Sequence, residues 1–272
     1  STFVVGATGS NIVLDHASNA FSNSVTMKAG TDGDLAFGNI EFVDSAAVKF
    51  HSSAGTNGDL YINAATDGAV GGALNVTAKA GDITQGHALT VTGTTTLETS
   101  ADAAAINLND TSNKFTSAVT ITTNDSDGSD SDATISAGSL KKLIFAASTI
   151  DGNLIVTSSN ATGITQTGVL TVGGTSSFTT SADGADIDLS TSSNAFTGAV
   201  SLSTEGSEGY AKLSNGSTNL ITGTSTVGGN LELTTTGSVT LGTSDSPTTV
   251  DGNLDVTAGN TVGHTGVLTI TG

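Results

Sequence analysis

The chain has 272 residues, 35 Gly, one Pro, no Cys, no Trp and a formal net charge of −18, and all seven of its cations are Lys. So acidic a chain, with no basic cluster beyond Lys141-Lys142, repels nucleic-acid phosphates and anionic membranes, and no apolar run reaches the length of a membrane span. Scarce Glu, Gln, Lys and Met, and the lack of any sustained 3.6-residue period, exclude a helical protein.

The first element in chain order is the N-terminus, STFVVGATGS, which has neither the basic start nor the apolar stretch of a signal peptide. It leads into SNIVLDHASNAFSNSVTMKA, a short apolar run that returns twice further on. GGALNVTA (71–78) and ITQGHALTVTG (83–93) follow, each carrying apolar residues one apart, such as Leu74/Val76 and Leu89/Val91. Pairs of this kind, bounded by Gly, Asn, Asp, Ser or Thr, predict very short strands with one buried face.

A second unit, 94–174, opens with SADAAAINLNDTSNKFTSAVTITT (100–123), continues through DGNLIVTS (151–158) and closes on ITQTGVLTVGG (164–174). A third, 175–272, repeats the scheme. SADGADIDLSTSSNAFTGAVSLST (181–204) matches the earlier stretch without a gap at an offset of 81. GGNLELTT (228–235) and DGNLDVTA (251–258) are 23 residues apart, and the chain ends on VGHTGVLTITG (262–272). Ile12, Ile106 and Ile187 therefore correspond, as do Phe21, Phe115 and Phe196. Self-similarity at a fixed period is the signature of a stacked-repeat architecture.

Strands this short suit a coil in which each turn holds two or three of them, paired in parallel with the turns above and below. The expected fold is all-β: one continuous right-handed parallel β-helix over 1–272, in three long repeats (1–93, 94–174, 175–272). At about 20–23 residues per turn it would have roughly a dozen turns and, at a strand spacing of ~4.8 Å, be a rod of roughly 60 Å. Apolar ladders would point inward with the three equivalent Phe in the core, and Thr and Ser ladders outward. Corners would use Gly, Asn and Asp, with Asn230 and Asn253 as candidates for a stacked Asn pair.

The phrases GxITQxGxLTVxG (from Gly81 and Gly163), DGNLxVT (151–157 and 251–257) and SNxFTxAVxxxT (112–123 and 193–204) resemble the repeat region of filamentous haemagglutinin-type adhesins. These are large surface proteins exported by two-partner secretion in Gram-negative bacteria. The resemblance covers essentially the whole chain and implies a right-handed parallel β-helix and a cell-surface role. The NPNG- and NPNL-type motifs of that family's secretion domain do not occur here, and no receptor-binding residue carries over.

Few residues suggest a chemical site. In NDSDGSDSD (124–132), Asp125, Asp127, Asp130 and Asp132 offer carboxylates to a Ca²⁺, a hard ion taking six to eight oxygens. The stretch lacks the bidentate Glu of an EF-hand and the Gly-rich nonapeptide of β-rolls, so a solvated loop is the favoured reading and no cofactor is expected. His16, His51, His87 and His264 are scattered. Catalysis of the polysaccharide-lyase type is disfavoured without Arg. An ice-binding face is disfavoured because positions matching the Thr-x-Thr pairs read Asn75/Thr77, Glu232/Thr234 and Asp255/Thr257. Five N-x-S/T sequons begin at Asn75, Asn109, Asn124, Asn160 and Asn215.

The expected role is therefore a non-enzymatic structural or adhesive shaft, secreted or on the cell surface. Its partners would be a host, neighbouring-cell or polysaccharide surface, with neither nucleic acid nor membrane insertion. Absence of Cys fits an exported protein held by geometry rather than disulfides. Gly272 corresponds to Gly174 and Ser1 to Ser176, so joining the two ends restores the repeat with one residue missing. Solenoid ends are usually closed by polar capping turns, yet VLDHASNAF and GVLTITG read as interior turns. Ser1, Phe3, Leu268, Ile270 and Gly272 are accordingly expected to mark ends that associate head to tail.

Overall fold

The computed structural model describes every residue except 7–8, 30–37, 52–58, 63–68, 124–130 and 192. None of the described residues is helical, and their named strands pair only in parallel. They stack as a β-solenoid of about ten turns, which at ~4.8 Å per turn makes a stack of ~50 Å. The turns are fewer than the expected dozen because several are longer than 23 residues. Ile12 pairs with Ile40, Ile40 with Leu74, and Ile106 with Ala133.

From Ala69–Val70 onward the strands follow one another over three faces in cyclic order. The first face is clearest in the inward ladder Leu143–Ile164–Ile187–Ala211–Leu231–Leu254. The second carries Ile12–Ile40–Leu74–Thr95–Val119. On the third, Ile83–Ile106–Ala133–Leu154–Ser176–Val200 run in line. These ladders meet in a core cluster extending from Ile12 to Val250. Phe115 and Phe196 are buried in it as expected, while Phe21 is half-buried and stacks on Phe42 with ring centroids 5.2 Å apart.

Corners explain the GNL phrase. The Asx residue just before a strand extends its side chain up one turn, where its oxygen accepts the N–H of the residue before the next strand. Asn230 Oδ1 accepts from Asn253 N–H at 2.8 Å, the stacked pair expected from the sequence. Asn39 accepts from Ala73 at 2.9 Å, and Asn153 from Thr175 at 2.8 Å. The Gly ahead of the Asx lies over the Asx side chain of the turn below. A Cβ on Gly252 would come 2.5 Å from Asn230 Oδ1, and one on Gly152 2.5 Å from Asp132 Oδ1. The dipeptide thus couples clearance for the turn beneath with a bond to the turn above.

Two jogs in the coil share one device. Between Val119↔Phe145 and Thr122↔Thr149 the chain of the upper turn gains a residue, and it does so again between Val200↔Thr222 and Ser203↔Thr226. At each bulge a Ser hydroxyl replaces the missing carbonyl. Ser148 Oγ accepts Ile121 N–H at 3.0 Å and donates to Ala146 O at 3.0 Å. Ser225 Oγ does the same with Leu202 N–H and Gly223 O, both at 3.1 Å. The sequence marks both places with similar phrases, STIDGNL and STVGGNL.

Candidate functional site

The acidic stretch divides. Asp125, Asp127 and Asp130 lie outside the described residues, whereas Asp132 immediately precedes the strand Ala133–Ala137 and acts as a corner residue. Its Oδ1 accepts Asn153 N–H at 2.6 Å, so its nearest partner is the backbone of the turn above. Among the described residues no group of three or more His, Cys, Asp or Glu gathers at metal-binding distance. Of the sequons, Asn160 and Asn215 are buried and use their Nδ2 groups to donate to Ser139 O and Phe196 O respectively. Asn109 is exposed and Asn75 half-buried, while Asn124 lies outside the described residues.

What the sequence reading missed is a clasp joining two of its recurring phrases. Gln166, from the closing phrase on one turn, faces Asn194, from the SNAF phrase on the next. Each amide donates to the other's oxygen at 2.8 Å. Asn194 Oδ1 also accepts Leu170 N–H at 2.9 Å, and its Nδ2 donates to Leu189 O at 3.0 Å. Gln85 and Asn113 form the same reciprocal pair at 2.9 Å in both directions. Burial raises the cost of losing such a network, because each released polar group would be left dry. A 28-residue Gln-to-Asn spacing, present in both copies, was the available signal.

Copies of the closing phrase do not stack on one another, although the neighbouring GGNLELTT and DGNLDVTA do. Ile83, Ile164 and Val262, which open the three closing phrases, sit on the third, first and second faces. The second lies ten described strands after the first and the third thirteen after the second, in each case whole coils plus one strand. Ile12, Ile106 and Ile187 likewise lie on the second, third and first faces.

The two terminal coils are the least covered parts of the stack. Among the described residues, the apolar side chains packed only partly buried against the core lie there: Phe3, Val5, Leu14 and Phe21 at one end, Leu254, Val256, Ala258 and Leu268 at the other. Val4 is 60% exposed and Ile270 47%. Ser1 and Gly272 are exposed, and the Ser1 ammonium donates to Ser24 O at 2.8 Å. The last coil consists of Leu254–Ala258, Val262–His264 and Leu268–Ile270, one strand per face.

Two rows mark the outer surface. On the first face Asp188, Lys212, Glu232 and Asp255 are successive neighbours, and Lys212 Nζ is 2.9 Å from Glu232 Oε2. That hydrogen bond and charge raise the Lys212 pKa. Burial beside this row raises Asp186, partly offset by the Tyr210 N–H it accepts. On the third face hydroxyls run in line through Thr157, Thr179, Ser203, Thr226, Thr249 and Thr269, continuing the buried Ser136. The positions taken to interrupt such an array, Asn75, Glu232 and Asp255, lie on the second and first faces instead.

A family described as repeats of unknown function (DUF5649) matches residues 55–122 and 130–203. No curated protein and no solved structure matches the chain.

Proposed function

The chain belongs to this family of repeats, and we propose that it serves as a non-enzymatic, rigid shaft in an extracellular or cell-surface fibre. The observation that carries this reading is the parallel stack of the described strands, bonded from turn to turn by backbone, Asx corners and Gln–Asn clasps. In such a stack each coil rests on its neighbours, so length is added without changing the cross-section. Strong negative charge disfavours lateral clumping of the rods. The likeness of the closing phrase and of DGNLxVT to filamentous haemagglutinin-type repeats supports a surface adhesin exported by two-partner secretion. The partner would then be a host, neighbouring-cell or polysaccharide surface.

Immunogold labelling of intact cells that make the protein tests the reading. Label along surface or shed fibres is expected, and label confined to the cytoplasm would reject it. A second reading, a solenoid that lays one repetitive face on ice or a crystalline polysaccharide, draws on the hydroxyl row of the third face. Thermal hysteresis at micromolar protein, or binding to such a solid lost on Thr179→Lys, would favour that reading over the shaft.

A further inference from the structure

We propose that two hydroxyl-lined cavities at corners of the solenoid each bind one residue of a neutral sugar. This deepens the adhesive side of the shaft reading and rests on it, naming the class of ligand that the shaft would carry along its edges.

Both cavities are built alike, from the corners that follow three stacked strands. In the lower one, of about 330 Å³, Ser112 follows Ile106–Leu108, Gly138, Ser139 and Leu140 follow Ala133–Ala137, and Ser159 follows Leu154–Ser158. In the upper one, of about 350 Å³, Ser193 and Asn194 follow Ile187–Leu189, Gly216 and Ser217 follow Ala211–Ser214, and Thr236 follows Leu231–Thr235. The first three strands lie in register on the third face and the second three on the first. In both cavities the bottom wall is the repeated SN phrase, the middle wall a Gly-Ser and the top wall a hydroxyl residue just past its strand.

Buried Asn side chains hold these walls in place. Asn113 and Asn194, beside the serines of the bottom wall, are the clasp residues. Asn160 Nδ2 donates to Ser139 O in the lower cavity, and Asn215 Nδ2 donates to Thr218 O at 3.2 Å and Asn219 O at 3.1 Å in the upper. Gly138 N–H donates to Asn113 O and Thr236 N–H to Gly216 O, both at 2.8 Å, so each middle loop is tied to a neighbouring coil. Walls fixed in this way need little ordering when a ligand arrives.

The lining chooses the ligand. None of the residues around either cavity is charged, in a chain of net charge −18, so an ionic ligand would lose water there without gaining a counter-charge. Ser and Thr hydroxyls both donate and accept, which suits the neighbouring hydroxyls of a sugar. Leu140, 71% exposed, in the lower cavity and Ala195 in the upper offer apolar surface to the C–H face of the ring. Both volumes fall at the small end of the ~300–1,000 Å³ range of ligand sites, which holds one ring rather than a length of chain. Each site is weak alone, and the two on one rod gain by avidity on a surface that repeats the sugar.

Saturation-transfer NMR on the purified chain tests the proposal, with glucose, galactose, mannose and N-acetylglucosamine as probes. Glucuronate, which Lys141 and Lys142 beside the lower cavity would attract, is the contrast. Transfer to at least one neutral sugar and none to glucuronate is expected. Ser139→Trp and Ser217→Trp fill the two cavities from exposed positions. Each alone should remove about half of the signal, and the pair all of it, since each blocks one of two independent sites. Thr149→Trp, exposed on the strand Ser148–Ile150, should leave the signal unchanged. No transfer to any of the four neutral sugars, equal transfer to glucuronate, or a folded double variant that binds like the parent would each overturn the proposal. If the double variant lowers the urea midpoint, Ser112→Trp with Ser193→Trp fills the same cavities from the bottom wall and gives the same reading. Binding by the purified chain is measured apart from where the cell places it. No transfer with gold label still along fibres therefore rejects the cavities alone, whereas label confined to the cytoplasm rejects the shaft.

Discussion

Gln166 and Asn194 each donate an amide N–H to the other's oxygen at 2.8 Å, locking two turns across a 28-residue gap. Leu170 N–H shares the Asn194 oxygen at 2.9 Å, and Asn194 is 1% exposed. Asn194→Ala would remove the donor to the Gln166 oxygen and to the Leu189 carbonyl and the acceptor of the Leu170 N–H, while Gln166 Nε2 keeps Gly168 O. A loss of about 2–4 kcal/mol is expected in denaturant unfolding. Hydrogen exchange should rise first at Leu170, and protection unchanged there would refute the clasp's role.

Gly252 and Gly152 clear the path of an Asx side chain. Ala at either would put a Cβ 2.5 Å from that side-chain oxygen and within 3 Å of backbone, at a cost of about 1–3 kcal/mol. Gly263, whose added Cβ would meet nothing within 4 Å, should accept Ala within about 0.5 kcal/mol. Equal midpoints for Gly252→Ala and Gly263→Ala in urea unfolding would contradict this account of the corner.

Thr95 occupies an inward position between Leu74 and Val119. It is 0% exposed, and its hydroxyl has no hydrogen-bond partner. Val fills nearly the same volume without the dry hydroxyl, so Thr95→Val should stabilise by about 1 kcal/mol. A destabilised variant would mean that the hydroxyl has a partner in solution.

Asp186 has its pKa raised from 3.8, chiefly by burial and further by Asp188, against the lowering effects of the Tyr210 N–H and Lys142. The folded state therefore holds this proton more tightly than the unfolded chain does. The contribution to stability is fully present below 3.8 and is lost as pH rises through the higher folded value. Asp186→Asn keeps an oxygen for Tyr210 N–H while removing the charge. Its unfolding midpoint should gain on the parent protein between about pH 4 and pH 7. A gain that shrinks with rising pH would show the sign to be wrong.

Much of the fold could be read locally. Leu231/Leu233 and Leu254/Val256 announced one-faced strands, and their 23-residue spacing announced the pair Asn230 and Asn253. The clasp was less visible, because Gln85 and Asn113 are common polar residues whose meaning comes from facing each other across a turn. The Asp132 carboxylate was read by charge, while its observed role is that of any corner Asx.

The sequence by itself determined the parallel stack: apolar residues one apart must bury one face, and Gly-Asn corners allow the chain to bend and bond upward. It also determined that the same units recur. Only the tertiary structure decided which face each unit takes. That depends on how many described strands the chain advances between two copies, ten from Ile83 to Ile164 and thirteen from Ile164 to Val262, on a coil with three faces. Phase around a coil accumulates over every corner and bulge between two copies, including the extra residues absorbed beside Ser148 and Ser225. No local pattern can contain a sum taken over so many turns.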